Sequence, residues 1–371
     1  MKILPQKLRI SLIFVLSICS ILFLSVARAD TTCITNFAKK QCANFQILPR
    51  VIVKTQLSKK ALANKLKRPI QRLAVLQDSN LYLVNHKRSL AYANKLQKDK
   101  DIIYAQPDVL QKRHNQKYKT KVVSTSLPLT KIWKKTKGKG IKIAIIDDGF
   151  NLQHEDLKGV RVGFQYDVEQ RVLDASPKSK LDKHGTQVAG VIFAQHNGIG
   201  VNGIAPEAEL IAIRQTSNIT SKTILAFTVA KLAKADIINC SWKSAVLMQP
   251  VYDVILNTIT HGRKGKGTAV VFAAGNSAKR ILPLSSEAAI NEAIIVGATQ
   301  AYSNYGASVD FVIQSGIKTT KIKGYGYFGG TSATAPIISG LLALKMSKEK
   351  NLTIKELIIK LKEDMDEYRK N

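Results

Sequence analysis

Apolar residues follow three different patterns along the chain. The first is one unbroken run, Ile10 to Val26, preceded by Lys2, Lys7 and Arg9 and followed by Ala27-Arg28-Ala29. A basic start, an apolar middle and small residues at the end make up an export signal, with cleavage expected before Asp30. A retained anchor is the alternative, since the run is near the lower limit for a span. A lipoprotein site at Leu16-Ser17-Ile18-Cys19 would need a small residue where Ile18 stands. Export would place the mature chain in the periplasm or outside the cell.

The second pattern runs from about residue 45 to 113. Val51-Ile52-Val53, Leu81-Tyr82-Leu83-Val84 and Ile102-Ile103-Tyr104 read as strands, the last stopped by Pro107. Ser58 is expected to cap a helix with apolar positions Leu62, Leu66 and Ile70. Ser89 is expected to cap a second, through Leu90, Ala93 and Leu96. Together they predict a small α+β unit of split βαβ type. Gln111 to about Ser126 is polar and basic with no apolar period, and reads as a linker.

The third pattern starts at Gly140. Ile141 to Ile146 is almost continuously apolar, as are Leu210–Ile213, Ile237-Ile238, Ala269–Ala273 and Ile294–Val296. Such runs suit parallel strands buried on both faces. Helical segments lie between them, at Gln187–Ala194 and Thr223–Ala233. The alternation predicts a doubly wound, mostly parallel α/β domain, in which functional groups gather beyond the carboxyl ends of the strands. Near the C-terminus, Thr353 and Glu356 form a capping box before Leu357, Ile358 and Leu361, predicting a surface helix.

Composition narrows the function classes. The chain has 371 residues and is 45% hydrophobic, enough for a large core. Its 57 Lys+Arg against 26 Asp+Glu give a net charge of +31, but the excess is spread along the chain and aromatics are only 6%. Nucleic-acid binders concentrate such charge in a patch with aromatics between, so no nucleic-acid partner is expected and the charge reads as a basic solvated surface. Export would allow disulfides. Cys33 and Cys42 could close a small loop or stay unpaired, and Cys240 reads as a lone buried thiol.

Four short segments carry the candidate chemistry. The first long strand ends in Asp147-Asp148-Gly149, and a carboxylate there is costly unless its charge is used. His184-Gly185-Thr186 opens an apolar helix. Gly329-Gly330-Thr331-Ser332-Ala333-Thr334-Ala335-Pro336 leads into another, leaving the Ser332 hydroxyl uncovered at a helix N-terminus. Pro336 is expected to be tolerated because early helical N–H groups lack partners. Ala273-Ala274-Gly275-Asn276-Ser277 ends a buried strand with an amide that can donate to an oxyanion.

Asp, His and Ser in this order, with an Asn between the last two, resemble the subtilisin-like serine peptidases over about residues 130–345. The resemblance implies a serine endopeptidase working through an acyl-enzyme, with Ser332 as nucleophile, His184 as general base and Asp147 as its partner. Asp148 would be the variable middle residue of an Asp-x-Gly motif. Asn276 and the Ser332 backbone N–H would form the oxyanion hole. The substrate would add as a strand between Ser241-Trp242-Lys243 and Ala273-Ala274-Gly275, with Lys243 standing where relatives usually carry glycine. The loop after the His184 helix would carry a structural Ca²⁺ on Asp156, Asn197 and the carbonyls of Gln195, Ile199 and Val201. Residues 1–29 would be the signal, 30–113 an inhibitory propeptide, 114–126 a linker holding the processing site and 127–371 the peptidase. The implied partners are a peptide or protein substrate and the chain's own propeptide, on a monomer. The rivals are a maturation peptidase with one dedicated substrate, suggested by Lys243, and an inactive basic protein binding cell envelopes.

Overall fold

Side-chain alternation assigns each strand to its neighbours. Val51 and Val53 enter one apolar cluster with Leu62, Ala93 and Leu96. Ile52, between them, enters another with Leu83, Phe227 and Ile255, so a single strand serves two cores. The computed structural model describes residues 32–111 and 127–370. The expected signal segment, the expected linker and its expected processing site lie outside the described residues.

In the N-terminal part the elements are β1 (Thr32–Asn36), β2 (Lys39–Ala43), β3 (Phe45–Thr55), α1 (Lys59–Leu66), β4 (Ile70–Val75), β5 (Asn80–Asn85), α2 (Ser89–Leu96) and β6 (Tyr104–Gln111). From β3 onward the order β-α-β-β-α-β is the split βαβ arrangement. Three local expectations need correction. Ile70 does not extend α1 but begins β4, because Lys67 turns left-handed at φ 50° and ends the helix. Ser58 does cap α1, accepting from the Ala61 N–H, whereas Ser89 is the first residue of α2 and its hydroxyl donates to the Leu48 carbonyl. Pro107 does not stop the last strand but lies inside β6, where β3 is the only neighbouring strand among the described residues. The β1–β2 hairpin went unread in the sequence; it carries the Cys33–Cys42 disulfide.

The C-terminal part contains α3 (Leu129–Trp133), β7 (Lys142–Asp147), β8 (Arg161–Asp167), α4 (His184–Phe193), β9 (Glu209–Arg214), β10 (Asn218–Ile219), α5 (Thr220–Leu232), β11 (Ile237–Cys240) and α6 (Gln249–His261). After these come β12 (Ala269–Ala273), β13 (Ile294–Ala298), β14 (Phe311–Ile313), β15 (Ile317–Thr320), β16 (Tyr325–Phe328), α7 (Thr331–Lys348) and α8 (Ile354–Lys370). Seven strands form a parallel sheet in the order β14-β13-β12-β11-β7-β9-β8. Ile143 and Ile145 of β7 pack with Val188, Ile338 and Leu357 on one face. Ala144 and Ile146 pack with Phe227 and Ile255 on the other. Both faces are thus covered by helices, which is why the strands read as unbroken apolar runs. Strands β8 and β9 lie to one side of β7 and β11 to β14 to the other. The order reverses at the β7–β11 seam, where such folds open a crevice.

The N-terminal sheet sits on α5 and α6. Its order β10-β6-β3-β5-β4 takes in β10 from the C-terminal part. Asp108 of β6 is fully buried, receives the Ser221 N–H and hydroxyl at 2.9 and 2.7 Å, and pairs with Arg50 at 2.7 Å. Tyr104 donates to Asp253 at 2.6 Å. Gln111, the last residue of β6, exchanges two bonds with the Val246 backbone.

Candidate active site

The seam delivers three strand ends to one place. Beyond β7, β11 and β12 lies a cavity of about 530 Å³ lined by Asp147, His184, Ser241, Lys243, Asn276 and Ser332, among others.

Asp147 closes β7 and its side chain is 3% exposed. Both its oxygens face His184 Nδ1, at 2.8 and 3.0 Å. The His184 side chain is 33% exposed and meets the edge of Phe328 at 5.2 Å between ring centres. A carboxylate on Nδ1 orients the ring and presents Nε2 to the cavity as an acceptor.

Asp148 has a different task. Its oxygens accept the backbone N–H groups of Lys183, His184 and Gly185 at 2.8–3.1 Å. It therefore caps the first turn of α4, the turn that carries His184. Burial, and then the neighbouring Asp147 charge, push its carboxyl up to about 6. Gly185 permits the close approach: a Cβ there would lie 2.5 Å from the Gly149 carbonyl oxygen and 3.0 Å from Asp147 Cβ. Asp182, two residues before His184, is tied to buried Arg214 at 2.6 Å, and Arg214 also holds Asp167.

Ser332 is the second residue of α7, following Gly330, whose φ of 72° favours glycine. Its hydroxyl donates to the Ser241 carbonyl at 2.9 Å, and the Ser241 hydroxyl donates to the Ser332 carbonyl at 3.0 Å. This exchange corrects the reading of Pro336. Pro336 lies beyond the first turn of α7, so its missing N–H strips the Ser332 carbonyl of its i+4 donor. Ser241 supplies the replacement.

Asn276 lies beyond β12. Its Oδ1 accepts the Thr331 N–H and hydroxyl at 2.9 and 3.0 Å, which turns the amide NH₂ end toward the cavity. Thr331 also takes the Gly275 N–H. A donor at the Asn276 position and the N-terminus of α7 together favour negative charge near Ser332.

Among the segments expected to pair with substrate, Ser241, Trp242, Lys243, Ala273 and Gly275 line the cavity, but Ala274 does not. Ala274 is fully buried, with its N–H on the Val296 carbonyl and its own carbonyl on Asn304. The Trp242 indole N–H is bonded to the Ile146 carbonyl at 2.7 Å.

The expected cation loop is partly assembled. Asp156 is fully buried; Oδ2 accepts the Val201 N–H, and Oδ1 has no hydrogen-bond partner among the described residues. The Asn197 oxygen accepts the Ile199 N–H, and the Gln195 amide closes on the Phe193 and Pro206 carbonyls. An orphaned buried carboxylate oxygen fits a hard cation. Asn197 fits less well, its oxygen being engaged already.

Sequence reasoning passed over Asp148 as a helix cap, the Thr331 clamp on Asn276 and the Ser241–Ser332 exchange. Asp148 could have been found from the need of four unpaired N–H groups at the start of α4.

Comparison with known proteins agrees with this architecture. Residues 138–364 match the Peptidase_S8 domain of the subtilase family. The "Major intracellular serine protease" of Bacillus subtilis is 32% identical over 59% of this chain and 72% of its own length. A "Dibasic-processing endoprotease" of Yarrowia lipolytica is 30% identical over 62% of this chain but only 27% of its own length. A "Calcium-dependent protease" of Trichormus variabilis is 30% identical over 62% of this chain and 42% of its own. Fervidolysin from Fervidobacterium pennivorans superimposes with a TM-score of 0.65 at 19% identity, covering 82% of this chain and 55% of that one. The doubly wound fold and the family match have one meaning: this chain belongs to the subtilase family and is a serine endopeptidase.

Proposed function

We propose that the protein is an exported peptidase made as a zymogen, cleaving peptide bonds with an Asp147-His184-Ser332 triad. The observation that carries this reading is the Asp147 carboxylate on His184 Nδ1, inside the cavity that Ser332 and Asn276 also line. In this reading the Ser332 hydroxyl turns from the Ser241 carbonyl to His184 Nε2 as substrate binds. A substrate N–H taking that carbonyl frees the hydroxyl to do so. Ser332 Oγ then attacks the scissile carbonyl and His184 takes its proton. The oxyanion is met by the Asn276 NH₂ and the Ser332 N–H, and His184 returns the proton to the leaving amine. Water repeats the sequence on the acyl-enzyme. A fluorophosphonate probe tests this: one label per chain, at Ser332, is expected, and a chain that stays unlabelled overturns it.

Asn276→Ala is expected to fold and lose roughly 100-fold or more in kcat, the size known for the equivalent amide of subtilisin. Unchanged kcat would remove Asn276 from the mechanism.

Residues 30–113 act in this reading as the propeptide and 114–126 hold its processing site. Gln111, the last residue of β6, binds Val246, next to Ala245 of the cavity wall, so the N-terminal sheet ends beside the site. Buried Asp108 of β6, bonded to Ser221 at the start of α5, anchors the unit in place. Among the described residues no helix is long and apolar enough to cross a membrane, and export rests on the N-terminal pattern alone.

Asp156, with the carbonyls of Gln195, Ile199 and Val201, is the proposed seat of a structural Ca²⁺. The ion would neutralise a buried carboxylate and play no part in the bond-breaking steps. EDTA is expected to lower Tm by roughly 5–10 °C, as loss of a ligand held about 100-fold above its Kd would do. Asp156→Asn should remove that response, and an EDTA-insensitive wild type would refute the site.

A narrow maturation role is the second reading, favoured by the cation that Lys243 brings into the cleft.

A further inference from the structure

Three lysines, Lys183, Lys243 and Lys279, line the cavity. None of their ammonium groups makes a hydrogen bond or ion pair among the described residues. The cavity's carboxylates are Asp147 and Asp148, and their oxygens already serve His184 and the start of α4. The three ammonium groups therefore outnumber the cavity's carboxylates and are paired with neither of them where a substrate must bind.

Lys243 is the most constrained of the three. Its stem crosses the gap between the segment after β11 and the one after β12. A Cβ on Gly275 would lie 2.5 Å from Lys243 Cε and 2.9 Å from Cδ. The lysine thus lies against the wall that a substrate strand between these segments would present its side chain to. Behind it, Glu287 is 1% exposed and receives the Ser244 N–H at 2.8 Å. Burial holds the Lys243 ammonium below the usual lysine range, with the Glu287 carboxylate working against that. Glu287 acts on Lys243 from the protein side, and neither carboxylate of the cavity is paired with it.

We propose that Lys243 makes this cavity a receptor for an acidic side chain, so that the enzyme cleaves after Asp or Glu. This rests on the peptidase reading above. A carboxylate entering beside Lys243, with Lys279 nearby, forms a charge-assisted pair in a partly dry site. A basic side chain meets like charge there, and a large aromatic one competes with the lysine stem for the wall over Gly275.

The test compares kcat/KM of the full-length protein on fluorogenic peptides that differ only in the residue before the scissile bond: Glu, Gln, Leu or Lys. Glu is expected to exceed Gln by at least 10-fold and Lys by at least 100-fold. Lys243→Met, which keeps the stem and removes the charge, should bring the Glu-to-Gln ratio near unity. Lys243→Arg should keep it high, and the wild-type ranking stands as a test even if a variant does not fold. A wild type preferring Leu or Lys, or a Lys243→Met enzyme with the ratio intact, overturns the inference. Fluorophosphonate labelling separates the two levels. A labelled enzyme without acidic preference loses only this proposal, and an unlabelled one loses the peptidase reading with it.

Discussion

Ser332→Ala is expected to lower turnover by roughly five to six orders of magnitude, the scale found in subtilisin when the nucleophile is removed. The loss should be this large because the neighbouring Ser241 hydroxyl cannot replace it. The Ser241 hydroxyl also lines the cavity, but it donates to the Ser332 carbonyl that Pro336 leaves without a helical donor. Releasing it would strand that acceptor, so Ser241 cannot stand in. The folded state should survive. Ser332 is half-exposed at the start of α7, and the substitution costs one hydrogen bond, to the Ser241 carbonyl, worth about 1 kcal/mol. Two measurements separate catalysis from folding: a kcat near background and a Tm within a few degrees of wild type. If residues 30–113 are a propeptide, mass spectrometry should also find the variant as a longer chain than wild type. Turnover within 100-fold of wild type would show that Ser332 is not the nucleophile.

The parts of this site that were legible in the sequence share a cause. Asp147, His184 and Asn276 all stand where an apolar run meets a polar residue, at a strand end or a helix start. Parallel strands buried on both faces produce long apolar runs, so their ends are sharply marked. The same logic made β7, β9, β11, β12 and β13 readable and β8 unreadable. Arg161, Val162 and Gly163 at the start of β8 are exposed at the sheet edge, so no apolar run marks it. The β4–β5 pairing is hidden because the apolar period of α1 runs on through Ile70 in the sequence. The left-handed Lys67 that breaks it carries no sequence signature. Backbone-to-side-chain bonds were the hardest to foresee. The Asp148 cap, the Thr331 clamp and the Ser241 exchange join residues whose mutual placement only the folded chain defines. Ala274 stands in a segment expected to face substrate, yet its N–H is held by the Val296 carbonyl of β13 and its own carbonyl by the Asn304 side chain.

The two adjacent carboxylates offer the sharpest division of labour. Asp147→Asn is expected to reduce kcat by about 10⁴-fold with little change in fold. An asparagine can offer its NH₂ to Nδ1, which selects the tautomer whose Nε2 carries the proton, and such a ring cannot accept one from Ser332. Asp148→Asn keeps an acceptor oxygen for the α4 N–H groups but removes the charge. It should cost roughly 10-fold or less in kcat, through looser placement of His184. It also alters stability against pH in a definite direction. The Asp148 carboxyl is raised from 3.8 to about 6, first by burial and then by the Asp147 charge. The folded chain therefore holds this proton more tightly than the unfolded chain does. Its contribution favours folding below pH 4, is lost as pH rises toward 6, and is flat above that. Asp148→Asn should remove that decline, making the variant gain on wild type between pH 4 and 6, as followed by Tm. Equal kcat losses for the two variants would mean that the Nδ1 contact of Asp147 has no privileged role. A tenfold loss for Asp147→Asn beside a 10⁴-fold loss for Asp148→Asn would exchange their assignments.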